Sequence, residues 1–231
     1  MQRLESQPDI EVVNINRGFD GMREADFDEA RFDAWVQGKT GYPLIDACMR
    51  ALHQTGWLNF RMRAMVVSFS SYHLWLHWQR PALHLAREFL DYEPGIHYSQ
   101  IQMQSGVTGI NTIRIYSPIK QAIEQDPAGK FIRQYLPELR DVPDAYIHQP
   151  HLMTTALQDR LGCQIGLHYP APVVDHAVAY RRAKDEVHAW RRHPEVRARA
   201  EKVFQQHGSR KKRHRRPRKV KKADPRQGSL F

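Results

Sequence analysis

Residues 38–65, GKTGYPLIDACMRALHQTGWLNFRMRAM, carry the clearest structural signals in this chain. Gly38 closes one helical pattern, and Pro43 opens the next at a first turn, where its missing N–H costs no hydrogen bond. Apolar residues then recur at helical spacing, at Leu44, Ala47, Cys48, Ala51 and Leu52. Gly56 ends this second helix, so the stretch predicts helices separated by glycine-marked turns.

The pattern is helical on both sides of this stretch. Upstream, Asp26 and Asp28 suit the start of a helix that ends at Gly38. Downstream, a strongly apolar helix is predicted over 58–78 and is expected to be mostly buried, and a final helix is predicted over 174–206. Since no long stretch alternates in polarity, we predict an all-α fold, an irregular helical bundle.

Charge divides the chain into regions. Residues 207–231 contain eleven Lys and Arg against the single acid Asp224, so they carry +10, which equals the formal net charge of the whole chain. Such a run is disordered in isolation and can neutralise nucleic-acid phosphates without reading sequence, or it can simply solubilise the protein. We therefore predict an extended N-terminal arm (1–25), a helical domain (26–206) and a disordered basic tail (207–231).

The two cysteines and the N-terminus indicate the compartment. Cys48 and Cys163 are too few for a disulfide framework and lack metal-binding spacing, so we expect a reducing cytoplasm and no metal site. The N-terminus lacks the basic and apolar regions of a signal peptide, and no run of about 18 apolar residues occurs. We therefore expect a cytoplasmic protein without a membrane partner.

Three further blocks follow in order: FLDYEPG from Phe89, TIRIYSP from Thr112 and FIRQYLPELRDVP from Phe131. Together with residues 38–65, these blocks closely resemble the flavin-binding helical domain of the DNA photolyase/cryptochrome family. The resemblance implies FAD as cofactor and DNA damaged by a pyrimidine dimer as partner. It covers only the C-terminal part of that domain, so we predict a missing N-terminal half as a further partner and weak FAD binding by this chain alone.

The resemblance assigns flavin contacts to Trp57, Phe60, Arg63, Asp91, Glu93 and His97. Arg63 would supply a cation at the edge of the flavin ring, paired with Asp91 in a site where excluded water strengthens electrostatic effects. His97 would face the reactive nitrogen of the flavin, and we predict a catalytic role for it. The alternatives are a buried structural ion pair and a hydrogen-bonded core histidine.

The same resemblance assigns DNA contacts to Arg61, Arg114 and Gln121. Arginine suits this task because its planar guanidinium can donate two parallel hydrogen bonds to the oxygens of one phosphate. Arg61 and Arg63 lie two residues apart, so they should point to different faces of their helix and meet different partners. A solvated or helix-capping arginine is the alternative.

An electron route to the flavin is only partly present in the sequence. Trp78 matches the middle member of the family's tryptophan chain, and we predict a catalytic role for it in electron transfer. Ile101 and Ala25 stand where the other two tryptophans would be. Either electrons take another route, for which Tyr72, Trp75 and Tyr98 are the candidates, or photoreduction is absent. Buried aromatic residues also serve simply as core.

Two substitutions bear on the function. Phe60 stands where photolyases have an asparagine near flavin and lesion, and Met103 replaces a tryptophan that clamps a dimer flipped out of the double helix. The function that the resemblance favours is FAD-dependent, light-driven DNA repair of the deoxyribodipyrimidine photolyase kind, by a partial catalytic domain. The alternative is a cryptochrome-like blue-light sensor or a non-catalytic DNA-binding remnant.

The last five residues, QGSLF from Gln227 to Phe231, resemble the short peptide by which bacterial DNA-repair proteins bind the replication sliding clamp. Gln227 would donate and accept hydrogen bonds there, while Leu230 and Phe231 would fill an apolar pocket. The sequence therefore predicts a sliding clamp as a further partner. A chance match of five residues is the alternative.

Overall fold

Ten α-helices dominate the computed structural model, which describes residues 7–25 and 27–207. The helices are α1 (Glu29–Val36), α2 (Pro43–Thr55), α3 (Phe60–Ser68), α4 (Gln79–Glu88), α5 (Pro94–Ser105), α6 (Pro118–Gln125), α7 (Lys130–Tyr135), α8 (Thr155–Leu161), α9 (His176–Trp190) and α10 (Pro194–His207). No β-strand occurs within the described ranges, so the all-α prediction is confirmed. Nearly all of the predicted basic tail, 208–231, lies outside them. None of these helices is long and apolar enough to cross a lipid bilayer.

The ends of α1 and α2 follow the signals in the sequence. The Oδ1 of Asp28 accepts a hydrogen bond from the backbone N–H of Arg31 (3.0 Å) and so caps α1. Pro43 occupies the first turn of α2, and Gly56 follows its last turn with a φ of 67°, which favours glycine. The N–H of Leu90 donates to the carbonyl of Gly56 (3.0 Å), so the segment after α4 lies against the end of α2.

The prediction of one continuous α-helix over 58–78 is wrong beyond Ser68. The helix α3 ends at Ser68, and one π-helical turn, Phe69–His73, follows it. The hydroxyl of Ser70 donates to the carbonyl of Val67 (3.0 Å), and hydroxyls bonded back to the preceding turn bend helices. Phe60 and Arg61 at the start of α3 are exposed, whereas residues 65–78 are buried except for the half-buried Trp75, so the expected burial holds from Met65 onward.

The prediction of a single helix over 174–206 is wrong. The structure has two helices there, α9 and α10, and α10 begins at Pro194. Proline lacks an N–H and its ring clashes with the preceding turn, so it interrupts a helix but suits a first turn. The start of α9 is capped by Asp175, whose Oδ1 accepts from the N–H of Val178 (2.8 Å).

The N-terminal segment packs against the helical body. Between residues 7 and 25 it forms turns and one 3-10 helix, and it buries Ile10 and Phe19. The buried amide of Gln102 on α5 accepts from the N–H of Ile15 (2.7 Å) and donates to the carbonyl of Ile10 (2.8 Å). The described part of the predicted extended arm is therefore a folded addition to the core.

A buried carboxylate closes the loop before α2. The Oδ1 of Asp46 accepts from the N–H (2.8 Å) and the hydroxyl (2.6 Å) of Thr40, and its Oδ2 accepts from the N–H of Gly41 (3.0 Å) and the hydroxyl of Tyr169 (2.6 Å). Burial raises the pKa of Asp46 to about 6, although the hydrogen bonds act in the opposite direction. This network fixes the start of α2 to a residue far along the chain.

Candidate functional site

A cleft of about 230 Å³ opens between α3 and α5. It is lined by Phe60, Arg63, Ala64, Val67, Phe89, Ile96, His97, Gln100, Ile101, Met103 and Gln104. On both helices these residues recur at spacings of three and four, so each helix presents one continuous stripe to the cleft. Among the lining residues Arg63 is the only one with a permanent charge, and most of the others are apolar. The cleft therefore combines an apolar wall with a single cation.

Three contacts hold Arg63 at the edge of this cleft. Its Nη2 lies 2.9 Å from the Oδ2 of Asp91, its Nε donates to the carbonyl of Leu58 (2.7 Å), and its guanidinium carbon lies 4.1 Å from the centre of the Phe89 ring. The hydrogen bond from Arg63 lowers the pKa of Asp91, which is therefore ionised at neutral pH. The Asp91 side chain is 53% exposed, so the two residues are not a buried structural pair.

Large apolar side chains are exposed in the cleft and on the chain segments next to its lining residues. Phe60 is 73% exposed and Ile96 is 63% exposed, and both line the cleft. Trp57 and Leu90, from the segments that precede α3 and follow α4, are also exposed, although neither lines the cleft. A cluster of exposed apolar residues of this kind marks a binding surface, because soluble proteins rarely leave one uncovered.

His97 lies in the wall of the cleft in a defined orientation. Its Nε2 lies 2.8 Å from the carbonyl of Ala82, and a carbonyl can only accept, so Nε2 carries the proton. Burial lowers the pKa of His97, the hydrogen bond to Ala82 partly opposes this shift, and the nearby charge of Arg63 lowers the pKa further. The ring is therefore neutral at pH 7, with Nδ1 as its acceptor. His97 is both a satisfied histidine and a cleft residue, so the two readings from the sequence are compatible.

Trp78 is buried away from the cleft but is joined to it by aromatic contacts. Its Nε1–H donates to the Oδ1 of Asn14 (2.7 Å), and its ring centre lies 6.4 Å from that of Tyr98. The Tyr98 ring lies 5.1 Å from that of His97, which lines the cleft. Ile101, at the position of the family's proximal tryptophan, also lines the cleft. The described aromatic contacts thus run from Trp78 through Tyr98 to His97.

The residues predicted to contact DNA have different environments. Arg61 is exposed and does not line the cleft, as expected from its spacing to Arg63. Arg114 is exposed and lines a second cleft that shares Met103 and Gln104 with the first. Gln121 is only 7% exposed, and its amide donates to Glu124 (3.2 Å). The structure therefore places Arg114 beside the flavin-site candidate and Gln121 inside the helical body.

Glu93 has a structural position that the sequence analysis did not assign. Its Oε2 accepts from the backbone N–H of Ile96 (2.6 Å), so it caps the N-terminus of α5. It does not line the cleft, but it starts the helix that carries His97 into the wall. Its contribution to the site is thus to position α5.

Sequence reasoning missed two polar residues in the cleft wall, Gln100 and Gln104. Both lie on α5 on the same face as His97, at the i+3 and i+7 positions that a helix places on one side. The Nε2 of Gln104 also donates to the carbonyl of Arg114 (3.1 Å), which joins α5 to the second cleft. The helical spacing from His97 was the signal that could have found them.

The fold and cleft define a helical cofactor-binding domain with an apolar slot and one fixed cation. Residues 1–189 match the family model described as "FAD binding domain of DNA photolyase". The chain therefore belongs to the DNA photolyase/cryptochrome family, as the sequence motifs predicted.

Curated relatives and solved structures agree with this assignment. The chain is 34% identical over 181 residues to the deoxyribodipyrimidine photo-lyase of Alkalihalophilus pseudofirmus, covering 77% of this chain and 37% of the relative. It is 36% identical to cryptochrome DASH of Gloeobacter violaceus, covering 69% of this chain and 32% of that relative. A crystal structure of a class III photolyase from Agrobacterium tumefaciens has a TM-score of 0.74 and 31% identity, over 82% of this chain and 40% of that one. The chain thus spans about two fifths of the length of these relatives or less.

A photolyase from the archaeon Sulfolobus tokodaii, solved with two FAD molecules, has a TM-score of 0.70 and 29% identity to this chain, covering 80% of it and 41% of the archaeal chain. The cleft between α3 and α5 fits one part of such a cofactor. Its apolar wall and the cation of Arg63 suit a flat ring with a polar edge, whereas the lining offers no second cation for a diphosphate. The residues that line this cleft therefore fit the flavin ring of the cofactor.

Proposed function

We propose that this chain forms one wall of the FAD site in a light-driven DNA-repair flavoprotein and acts as a partial catalytic domain. The observation that carries the proposal is the ion pair of Arg63 with Asp91 beside an apolar cleft. When bound, FAD supplies a light-excited electron donor able to split a pyrimidine dimer. This chain supplies the cation, the apolar wall and an oriented imidazole.

Each of these groups acts through its fixed position. Arg63 stabilises negative charge at the edge of a bound ring without reorganising, because Asp91 and the carbonyl of Leu58 already hold it. The apolar wall excludes water and so strengthens that interaction. The Nε2–H of His97 donates to the carbonyl of Ala82, which leaves Nδ1 as the atom that can accept a proton or a hydrogen bond.

The proposal includes an upstream half that covers the exposed rim of the cleft. Phe60, Ile96, Trp57 and Leu90 are the exposed apolar residues that such a partner would bury. Burying each large side chain contributes roughly 1.5–3 kcal/mol, so four of them provide a substantial contact. The same half would bring the groups that bind the FAD phosphates.

DNA is the proposed substrate, and Arg61 and Arg114 are the proposed phosphate contacts. Both are exposed, and Arg114 lines the cleft that adjoins the flavin-site candidate. The basic tail would add affinity that is independent of sequence and sensitive to salt. We place the electron route along Trp78 and Tyr98, whose ring centres are 6.4 Å apart. The Tyr98 ring lies 5.1 Å from that of His97 in the cleft wall, so the route ends beside the flavin-site candidate.

A blue-light sensor remains the second candidate. It is supported by the cryptochrome DASH relative and by Phe60 and Met103, which line the cleft in place of the asparagine and tryptophan expected of a repair enzyme. Because photolyases and cryptochromes are both among the relatives of this chain, the family alone does not distinguish the two functions.

A cytoplasmic location is also proposed. Cys48 and Cys163 are free and buried, which agrees with a reducing compartment.

The function can be tested by complementing the chain. We expect the purified 231-residue chain to bind FAD weakly, because its cleft fits only the ring. A chimera in which this chain replaces the matching part of the Agrobacterium tumefaciens photolyase should retain FAD in about equimolar amount. Illumination of that chimera with an oligonucleotide containing a thymine dimer should then restore the undamaged bases, measured by chromatography.

The outcomes separate the candidate functions. FAD retention with light-dependent repair supports the proposal, and FAD retention without repair favours the sensor. Stoichiometric FAD on the isolated chain would contradict the proposed need for an upstream half. A folded chimera without FAD would contradict the flavin site itself. The unaltered A. tumefaciens photolyase is the matched control.

Binding to the sliding clamp is a separate proposal, on residues outside the described structure. Deleting 227–231, or replacing Leu230 and Phe231 by alanine, should abolish binding of the chain to a purified bacterial clamp in surface plasmon resonance. A deletion of five residues from the basic run 211–215 is the matched control, since it shortens the tail but keeps the peptide. Equal clamp binding by the chain with and without 227–231 would refute the proposal.

A further inference from the structure

Three side chains that could bind a metal ion meet at the C-terminal ends of α2 and α4. His53 lies in the last turn of α2, and His84 and Glu88 lie one turn apart on α4. One ligand atom from each lies within 4.8 Å of the other two. None of the three lines the flavin-site cleft. The cysteine spacing predicts no metal site, and the convergence of α2 and α4 is not visible in the sequence.

His53 has an arrangement of partners that calls for a cation. Its Nε2 lies 2.7 Å from the carbonyl of Val36, so this nitrogen carries a proton. In the neutral ring the other nitrogen, Nδ1, then presents a lone pair, yet it lies 3.0 Å from the Oε2 of Glu88. Two acceptors face each other there, and only a second proton or a metal ion between them makes the contact favourable.

The bond from His53 to Val36 is also what a metal-binding histidine needs. Metal-bound histidines donate their other ring N–H to a carbonyl or carboxylate, which fixes the tautomer and the ring orientation. Here the carbonyl comes from the last residue of α1, so a third helix orients the ligand from α2. This partner is in place without any rearrangement of the side chain.

His84 provides an independent observation. Its Nε2 is buried and has no hydrogen-bond partner, although buried polar atoms are nearly always paired. Its ring packs edge-on against Trp35, with centres 5.7 Å apart, and against His53, with centres 5.6 Å apart. Burial lowers the pKa of His84, which keeps the ring in its neutral, metal-binding form at pH 7.

We infer that His53, His84 and Glu88 form a binding site for a divalent transition-metal ion, for which Zn²⁺ is the best match. Two imidazole nitrogens and one carboxylate oxygen are a donor set typical of zinc, with water completing the tetrahedron. Hard ions such as Mg²⁺ and Ca²⁺ prefer sites made of oxygen atoms and should not compete.

The ion would join α2 to α4 just before the segment that forms the edge of the flavin-site cleft. Glu88 precedes Asp91, the partner of Arg63, by three residues, and the nearby N–H of Leu90 is bonded to the carbonyl of Gly56. A cross-link at this point stabilises the fold because it binds only the arrangement in which both helices are packed.

The test uses the untagged 231-residue chain, freed of metal by a chelator. Isothermal titration calorimetry with ZnCl₂ should show one tight site, and CoCl₂ should give the visible absorption of a protein-bound ion. Glu88→Gln and His84→Gln each remove one donor with little change of shape, and each should weaken the tight site by at least about tenfold. ZnCl₂ should raise the melting temperature of the native chain, and MgCl₂ should not.

His188→Gln is the matched control, because His188 is an exposed histidine on α9 outside the cluster. It should leave the tight site unchanged. Circular dichroism establishes that each variant is folded before titration, and the cobalt absorption reports binding by the native chain even where a variant fails to fold. The inference is overturned if the native chain has no tight site, or if the control weakens it as much as Glu88→Gln does. In that case a proton occupies the contact between His53 and Glu88.

Discussion

Asp46→Ala is expected to lower the free energy of unfolding by about 3 kcal/mol or more, the largest single effect predicted for this fold. The substitution leaves the N–H groups of Thr40 and Gly41 and the hydroxyls of Thr40 and Tyr169 without their acceptor, and Asp46 is fully buried. Urea denaturation followed by circular dichroism at 222 nm measures the change. Asp46→Asn should cost less, because the amide oxygen keeps part of the network.

Asp185→Ala serves as the control, since Asp185 is exposed on α9 and should change the stability by less than about 0.5 kcal/mol. The pH adds a second check on Asp46. Its pKa in the fold, about 6, lies above the ordinary value of 3.8, so its contribution to stability is greatest below pH 3.8 and falls as the pH rises through 6. The loss caused by Asp46→Ala should therefore be smaller at pH 8 than at pH 5. A loss below about 1 kcal/mol at both pH values would show that the network does not hold the loop.

Arg63→Met is expected to weaken FAD binding by about 10- to 100-fold in the chimera with the Agrobacterium tumefaciens photolyase, the change expected when a hydrogen bond to a charged group is lost. Methionine keeps much of the length and apolar contact of the arginine, including its position beside Phe89, but removes the cation. It also leaves Asp91 without the partner that lowers its pKa. Quenching of flavin fluorescence on binding measures the affinity.

The matched control for this prediction is Arg61→Met, two residues away on α3. Arg61 is exposed and outside the cleft, so this variant loses the same charge without touching the flavin-site candidate. FAD affinity should stay within about twofold of the unmodified chimera, although DNA affinity should fall. Equal losses of FAD affinity in both variants would mean that net charge, and not the position of Arg63, matters.

Some of the candidate site could be inferred from short segments alone. Arg63 and Asp91 were paired through the family motifs around them, and the structure sets their side chains 2.9 Å apart. The bounds of α2 were also predictable, because a proline at a first turn and a glycine with positive φ act within a few residues. Such signals are local, so they do not depend on how the rest of the chain folds.

Other features depend on contacts that no local pattern reports. The π-helical turn after α3 was missed because a run of apolar residues predicts a helix but not its hydrogen-bond period. The burial of Gln121 was missed because a polar residue is expected at the surface unless its surroundings are known. The sequence predicts an extended arm where the N-terminal segment is folded, because its partner, Gln102, lies on a helix far along the chain.

The amino-acid sequence alone predicts the helical class, because apolar residues recur at helical spacing within short segments. Its ordered motifs resemble one family, and that resemblance predicts the pair of Arg63 and Asp91 at the proposed flavin site. The folded structure was needed to show which residues line the cleft beside that pair, how Ala82 orients His97, and that His53 lies close to His84 and Glu88. Short segments cannot report these features, because each is formed by residues from different helices. Their distances are set by helix packing, which depends on the whole core and not on any one segment.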